Sequence, residues 1–318
     1  MKDNYGRTIN YLRVSVTNRC NLKCQYCIPK SMTYKENEKA LLSLDELYQV
    51  IKAYCEIGIN KVRITGGEPL VREGIIEWIS RVSKLPQIKD LAMTTNGVLL
   101  KKYAKDLKEA GLNRLNISLD SLDPDSYKSI TGGGQLSSVL EGIQTAQMVG
   151  LAEIKINTVL IKDFNDHCIT SFVDWTKKEA IDVRFIELMP IGEGIQWSKD
   201  RFVSAETVLK KVPELYKIET LDQSSPATYY QLPDGKGKVG LIKPVSCKFC
   251  NRCNRMRLTA EGKIKYCLLS EETFDMKKSL RNEKEINGAV KKTILNKPKD
   301  HQLESNSYIT TNMFNIGG

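Results

Sequence analysis

Histidine is nearly absent from this chain. His167 and His301 are the only two in 318 residues, too few for a histidine-rich zinc site and a poor basis for a histidine-driven nucleophilic triad. No apolar run approaches the ~20 residues of a membrane span. The opening residues, MKDNYGRTINY, lack the apolar centre of a signal peptide, so a cytoplasmic protein with no membrane partner is expected. Repeats, low-complexity tracts and runs of six like charges are missing as well. What is present is a hydrophobic content of 41%, ample for a core, and a net charge of +10. That charge suits an anionic partner, either nucleic acid or a small polyphosphate, without choosing between them.

The nine cysteines carry more information. In a reducing compartment, clustered cysteines bind metal or do chemistry more often than they form disulfides. Seven fall in two groups: Cys20, Cys24, Cys27, and Cys247, Cys250, Cys253, Cys267. Cys55 and Cys168 stand alone in helical patterns and read as small buried hydrophobes. In RCNLKCQYC the spacing is Cys20-x3-Cys24-x2-Cys27. Structural zinc wants four ligands and a redox pair two, whereas three thiolates can hold an iron–sulfur cluster and leave one iron open. A redox pair would leave Cys20 unexplained, and zinc would lack a nearby fourth ligand. The second group, Cys250-x2-Cys253-x13-Cys267, admits structural zinc more readily, because Cys247 could complete it. Its other reading is a second [4Fe–4S] cluster.

Short β-rich runs at 11–17, 61–65, 90–95, 114–120, 153–161 and 183–189 alternate with helical patterns at 44–57, 73–84, 100–110, 136–149 and 165–180. Ser43 followed by Glu46 marks a capping box at the first of these helices. Strand–helix alternation argues for a parallel sheet. Six units are fewer than the eight of a closed barrel, so the expected fold is α/β, first a partial TIM-like (β/α)6 barrel over residues 1–205 and second a doubly wound sheet. A smaller α+β domain is expected over 206–318, with a helix at SAETVLKKV, antiparallel strands at TYYQL and KVGLIK, a hairpin across TAEGK and helical segments near 271–295.

Cys-x3-Cys-x2-Cys directly after a first strand, with Tyr26 before the third cysteine, resembles the radical S-adenosylmethionine superfamily. So does ITGGEPL (64–70) after the second strand. The resemblance implies that Cys20, Cys24 and Cys27 hold a [4Fe–4S] cluster whose open iron chelates S-adenosylmethionine, the source of a 5′-deoxyadenosyl radical. Gly66 and Gly67, lacking side chains, are expected to let a ligand lie against the backbone.

Three further features resemble one family, the GTP 3′,8-cyclases (molybdenum cofactor biosynthesis protein A): the opening DNYGRTINYLRVSVTNRCN, the NRMRLT segment and the terminal IGG. The resemblance runs over essentially the whole chain. It implies a second [4Fe–4S] cluster on Cys250, Cys253 and Cys267 that binds the guanine of GTP. It implies S-adenosylmethionine contacts from Tyr26, Gly67, Ser118 and Met189. GTP contacts would come from Arg13, Lys61, Arg63, Thr94, Lys155, Arg184, Arg255 and Arg257. Gly317 and Gly318 would enter the active site as catalytic residues. The implied reaction removes hydrogen from ribose C3′ and joins that carbon to C8, giving 3′,8-cyclo-7,8-dihydro-GTP, the first step of molybdopterin biosynthesis. Implied partners are GTP, an electron donor and a downstream cyclic pyranopterin monophosphate synthase, with a homodimer among the open assemblies.

Asn18 stands where the family has Asp, Ile28 replaces a common Met, and Cys247 is an extra thiol, expected not to be a ligand because a fourth thiolate would close the iron that GTP needs. Two other classes stay open from sequence: a radical peptide-modifying enzyme with auxiliary clusters, and a zinc protein that binds nucleic acid. Against the latter, the RMR segment (255–257) has little aromatic interleaving.

Overall fold

The computed structural model describes residues 1–29, 31, 32, 41–151, 153–220, 222, 224–301 and 308–317. The first part of the chain alternates strand and helix: β1 (Tyr11–Ser15), α1 (Leu44–Glu56), β2 (Lys61–Thr65), α2 (Ile75–Ser83), β3 (Asp90–Thr95), α3 (Leu100–Glu109), β4 (Arg114–Ser118), α4 (Pro124–Thr131), α5 (Leu136–Met148), β5 (Glu153–Leu160), α6 (Ile169–Lys178) and β6 (Asp182–Glu187). Each βα step pairs its strand parallel to the last. The capping box at α1 forms, with Ser43 Oγ accepting from Glu46 N at 3.1 Å and Glu46 Oε2 accepting from Ser43 N at 2.7 Å.

Beyond β6 come α7 (Gly194–Arg201), α8 (Thr207–Lys211), β7 (Tyr216–Ile218), β8 (Ala227–Gln231), β9 (Val239–Ile242), β10 (Arg255–Leu258), β11 (Lys263–Lys265), β12 (Thr273–Asp275), α9 (Glu283–Leu295) and α10 (Met313–Ile316). Their strands join the same sheet at both edges. Its order is β12-β11-β10-β1-β2-β3-β4-β5-β6-β9-β8-β7. β10 runs parallel to β1, and β9 parallel to β6. Eight parallel strands therefore stand side by side, two more than the repeat pattern predicts. The antiparallel β10–β11 and β8–β9 pairs form as expected. A strand, β12, occupies part of the segment expected to be helical near 271–295. α4, capped by Asp123 accepting from Ser126 N at 2.8 Å, is an addition that its short length and interrupted apolar pattern hid.

Strand periodicity decides which face does what. Leu12, Val14, Val62, Ile64, Leu91, Met93, Leu115, Ile117, Ile154, Ile156, Val183 and Phe185 are buried within the hydrophobic core. The residues alternating with them are polar: Arg13, Arg63, Thr94, Asn116, Ser118, Asn157 and Arg184. Period-two alternation puts this second row on the opposite face. The sheet thus has an apolar face packed against helices and a polar face curled around a cavity. Side chains from β10 through β1–β6 to β9 line that cavity.

Candidate active site

The cavity measures about 350 Å³, within the range of small-molecule sites. All six cysteines expected to bind metal line it, namely Cys20, Cys24, Cys27, Cys250, Cys253 and Cys267. The first three follow the carboxyl end of β1. Cys253 lies just before β10, which runs parallel to β1, and Cys267 lies just after the antiparallel β11. The two sets therefore sit at opposite ends of the parallel strands, with the polar row between them. Cys247 is exposed and is not part of the wall.

The cysteine loop is tied down from two sides. Lys23 N donates to Thr131 O at 2.9 Å and Gln25 N to Ile130 O at 3.0 Å, so the carboxyl end of α4 carries it. On the other side Gly67 N donates to Thr17 O at 2.8 Å and Glu68 N to Arg19 O at 2.7 Å. This gives the glycine pair a packing role besides the expected one. A Cβ on Gly66 would lie 2.7 Å from Thr17 O, and one on Gly67 2.2 Å from Arg19 O. Both positions need glycine because the cysteine loop packs against them, although Gly66 and Gly67 also border the cavity.

Glu68 of the same segment is fully buried. It accepts from Leu70 N at 3.1 Å, Thr95 Oγ1 at 2.8 Å and Asn96 N at 2.7 Å. Asn96 in turn points Nδ2 at Cys20 Sγ, 3.7 Å away. Tyr26 donates to Asp120 Oδ2 at 2.6 Å, and Asp120 Oδ1 accepts from Val159 N at 2.9 Å. Burial raises the Asp120 carboxyl to about 6 and the Glu68 carboxyl to about 7. Burial also pushes the thiols of Cys20 to about 11 and Cys27 to about 12.

The middle of the cavity is cationic. Arg13, Arg63, Arg184, Arg255 and Arg257 all border it, with Tyr11 among them. Arg13, Arg63 and Arg257 share one level across β1, β2 and β10. Burial first, and then mutual repulsion, holds the Arg63 guanidinium down near 10. Burial does the same for Arg257, also near 10, with Arg255 adding to it. Arg63 Nε, Arg184 Nε, Arg255 Nη1 and Thr94 Oγ1 are buried without a hydrogen-bond partner among the described residues. Buried cations that lack counter-charges cost several kcal/mol each. Such a cluster is built to receive an anion with many oxygens.

Comparison with known proteins shows the family. Residues 14–176 match the family model of the radical SAM superfamily, and residues 181–303 that of molybdenum cofactor synthesis C. The GTP 3′,8-cyclase of Peptoclostridium acidaminophilum is 53% identical over 99% of this chain and 98% of its own. That of Alkaliphilus oremlandii is 52% identical with 100% of each chain covered. This chain belongs to the GTP 3′,8-cyclase family. Among solved structures, Streptococcus suis SuiB bound to its precursor peptide SuiA superposes with a TM-score of 0.62 at 15% identity, over 89% of this chain and 66% of that one. SuiB bound to S-adenosylmethionine gives 0.60 at 16%, over 84% and 63%. At that identity the likeness is one of fold.

Within the cyclase framework, Tyr26, Gly67, Ser118, Met189, Arg13, Arg63, Thr94, Arg184, Arg255 and Arg257 all line the cavity. Lys61 and Lys155 do not. They share the polar face by strand parity, but Lys61 is paired with Asp222 at 3.2 Å and Lys155 with Asp182 at 3.2 Å. Gly317 meets the wall through its carbonyl, which accepts from Arg257 Nη1 at 2.8 Å. Gly318 lies outside the described residues. Sequence reasoning missed Glu68, Asn96, Asp120, Asn157 and Lys297. The GGEP motif singled out the glycines but gave no reason to pick its glutamate. Asp120 and Asn157 follow from strand parity once the strand ends are known.

The tail that carries Gly317 is anchored at several points. Ile309 bridges to Ile191, and Gly192 N donates to Ile309 O at 2.7 Å. Glu271 Oε1 accepts from Thr310 N at 2.6 Å and Thr311 N at 3.1 Å. Phe314 and Met313 then reach the cavity wall.

Proposed function

We infer that this chain is a radical S-adenosylmethionine lyase that joins C3′ of GTP to C8, forming 3′,8-cyclo-7,8-dihydro-GTP at the start of molybdenum cofactor synthesis. The observation that carries the reading is two three-cysteine sets facing one cavity from opposite ends, with buried arginines between them. The residues present fit the implied groups. Each set offers three thiols and no fourth on the wall, and among the described residues no carboxylate forms an ion pair with Arg63, Arg184, Arg255 or Arg257. In this reading Cys20, Cys24 and Cys27 hold one [4Fe–4S] cluster, and Cys250, Cys253 and Cys267 the other. When bound, the first cluster with S-adenosylmethionine supplies the radical chemistry that removes a ribose hydrogen.

The chain's own residues bind, orient and shield. Tyr26, Gly67, Ser118 and Met189 surround S-adenosylmethionine, joined by Asp120, whose carboxylate orients the Tyr26 hydroxyl. Arg13, Arg63, Arg184, Arg255 and Arg257, with Thr94, receive the GTP triphosphate. Each sheltered charge-assisted hydrogen bond contributes roughly 1.5–3 kcal/mol. Lys61 and Lys155 join them by leaving Asp222 and Asp182. Arg257 has a second task, holding Gly317 against the wall so that the tail excludes water beside the substrate. An electron donor and a downstream synthase complete the set of partners. No helix among the described residues is long and apolar enough to cross a membrane, in keeping with a cytoplasmic setting.

The test is anaerobic incubation of the iron-loaded chain with S-adenosylmethionine, GTP and a strong reductant. Chromatography with mass analysis should find 5′-deoxyadenosine and a new isomer of GTP. Cleavage of S-adenosylmethionine without a guanine-containing product would overturn the substrate assignment.

A further inference from the structure

Two buried cations flank the second cysteine set, and they differ in how they are neutralised. Arg7 donates from Nη1 to Cys250 O at 2.9 Å, and its Nε is ion-paired with Asp3 at 2.6 Å. Its charge is answered within the protein. Lys297, two residues beyond α9, is 3% exposed and lines the cavity. Its Nζ donates to Arg255 O at 2.8 Å and to Tyr266 O at 2.8 Å. Both acceptors are carbonyls, and no carboxylate among the described residues forms an ion pair with it. Carbonyl dipoles alone leave most of the desolvation cost of an ammonium unpaid.

The position of those two carbonyls shows where the missing counter-charge belongs. Arg255 lies two residues after Cys253, and Tyr266 immediately precedes Cys267. The ammonium is therefore clamped to the backbone that presents two of the three thiols.

We propose that Lys297 is the fixed counter-ion of the iron–sulfur cluster held by Cys250, Cys253 and Cys267, and that its charge raises the reduction potential of that cluster. The inference rests on the reading that these cysteines hold such a cluster. Its physics is direct. A three-thiolate [4Fe–4S] centre is anionic, and its reduced form carries one more negative charge than its oxidised form. A buried cation stabilises the reduced form more, and nearby charge is one of the protein's levers on cluster potential. With Lys297 only 3% exposed, water screens the effect less than it would at the surface. At the first set, Glu68 acts on Cys20 and Asp120 on Cys24 in the opposite direction.

The experiment is a potentiometric titration of the full-length, fully loaded chain, followed by electron paramagnetic resonance, with iron and zinc measured per chain. Lys297→Gln removes the charge and keeps a donor, Lys297→Met removes both, and Lys297→Arg keeps the charge. The expected result is a lower midpoint for one cluster in the Gln and Met variants. The other cluster should be unmoved, and the Arg variant should stay near wild type. Loss of second-cluster iron in Gln and Met but not in Arg supports the same role, since charge is then what the cluster needs. Unchanged midpoints at equal iron content would overturn the proposal. So would an Arg variant that behaves like Met, or a fall in GTP affinity with both midpoints fixed. Wild-type protein with zinc, or with a single cluster of about four irons, would sink the cluster reading itself and this inference with it.

Discussion

Cys20, Cys24 and Cys27 sit among carboxylates, whereas Cys253 of the second set sits among cations. At the first set burial raises all three thiols, and Glu68 or Asp120 raises each further. At the second set burial raises Cys250, but Cys253 falls because Lys297, Arg255 and Arg7 overcome its burial. Two ligand sets of the same composition thus differ in electrostatic setting, most clearly at Cys253. S-adenosylmethionine bears a sulfonium and an ammonium, and carboxylates suit it. GTP is a polyanion, and arginines suit it. In the proposed reading, the difference teaches that the cysteines would fix where iron sits, while their neighbours would decide which molecule approaches the open iron.

The sharpest way to break this comparison is to delete one set at a time. Ala at Cys20, Cys24 or Cys27 should abolish 5′-deoxyadenosine formation. Ala at Cys250, Cys253 or Cys267 should remove the second cluster while S-adenosylmethionine still binds at the first. Iron content and chromatography of 5′-deoxyadenosine read both arms. Retained cleavage in a first-set variant would show that the sets are interchangeable.

Next in size is Gly317, which joins the two halves through Arg257. Its φ is +71°, and a Cβ there would lie 2.7 Å from Thr65 Cγ2 and 3.3 Å from Ser15 Cβ. Alanine pays roughly 1–2 kcal/mol for the left-handed backbone and must also push off the wall. Gly317→Ala is expected to lower cyclisation sharply with iron content unchanged and melting temperature lowered by no more than about a few degrees. Full activity in a chain ending at Ile316 would reduce the tail to a frayed end.

Arg257→Ala probes the cationic side alone. GTP binding should weaken at least tenfold, ~1.4 kcal/mol, without loss of iron. Equal affinity in calorimetry would place the patch outside the substrate site.

On the acidic side, burial holds the Glu68 carboxyl near 7 rather than 4.5. The folded chain keeps a proton that the unfolded chain releases. Stability from this group is therefore full below pH 4.5, declines as pH rises towards 7, and is flat above. Melting curves of the apoprotein should show that decline in wild type and a flatter profile in Glu68→Gln. Parallel profiles would mean that Glu68 is ionised throughout.

Much of this was legible in the sequence because its signals are local. Cysteine spacing, strand periodicity and the Ser43–Glu46 box need only neighbouring residues. The placement of β9 and β10 against β6 and β1 was not legible, since those pairings join segments far apart in the chain. The same limit explains Lys61 and Lys155. Parity puts them on the correct face, but Asp222 and Asp182 hold them, and no local pattern announces such partners. Lys297 escaped because an isolated lysine after a helix reads as solvated surface until its burial is seen.

The smallest expected effect is at Cys247, and it bears on whether the second set is open. Four thiolates would close that cluster and leave GTP no iron. Cys247 stands only three residues before Cys250, near enough in sequence to be a ligand. The geometry separates them. Cys247 is exposed, while Cys250, Cys253 and Cys267 border the cavity. Its segment is fastened elsewhere: Cys247 N donates to Lys243 O at 3.0 Å, and Glu187, fully buried, accepts from Ser246 N at 3.0 Å and Val245 N at 3.2 Å. To reach the cluster, Cys247 would have to pull this turn off a buried carboxylate, leaving it Ala205 N at 3.3 Å in place of its present set of donors, at ~1–3 kcal/mol. Cys247→Ser should therefore keep both clusters and near-wild-type cyclisation. Loss of about four irons per chain in that variant would make Cys247 a ligand, close the second set and remove the asymmetry between the two.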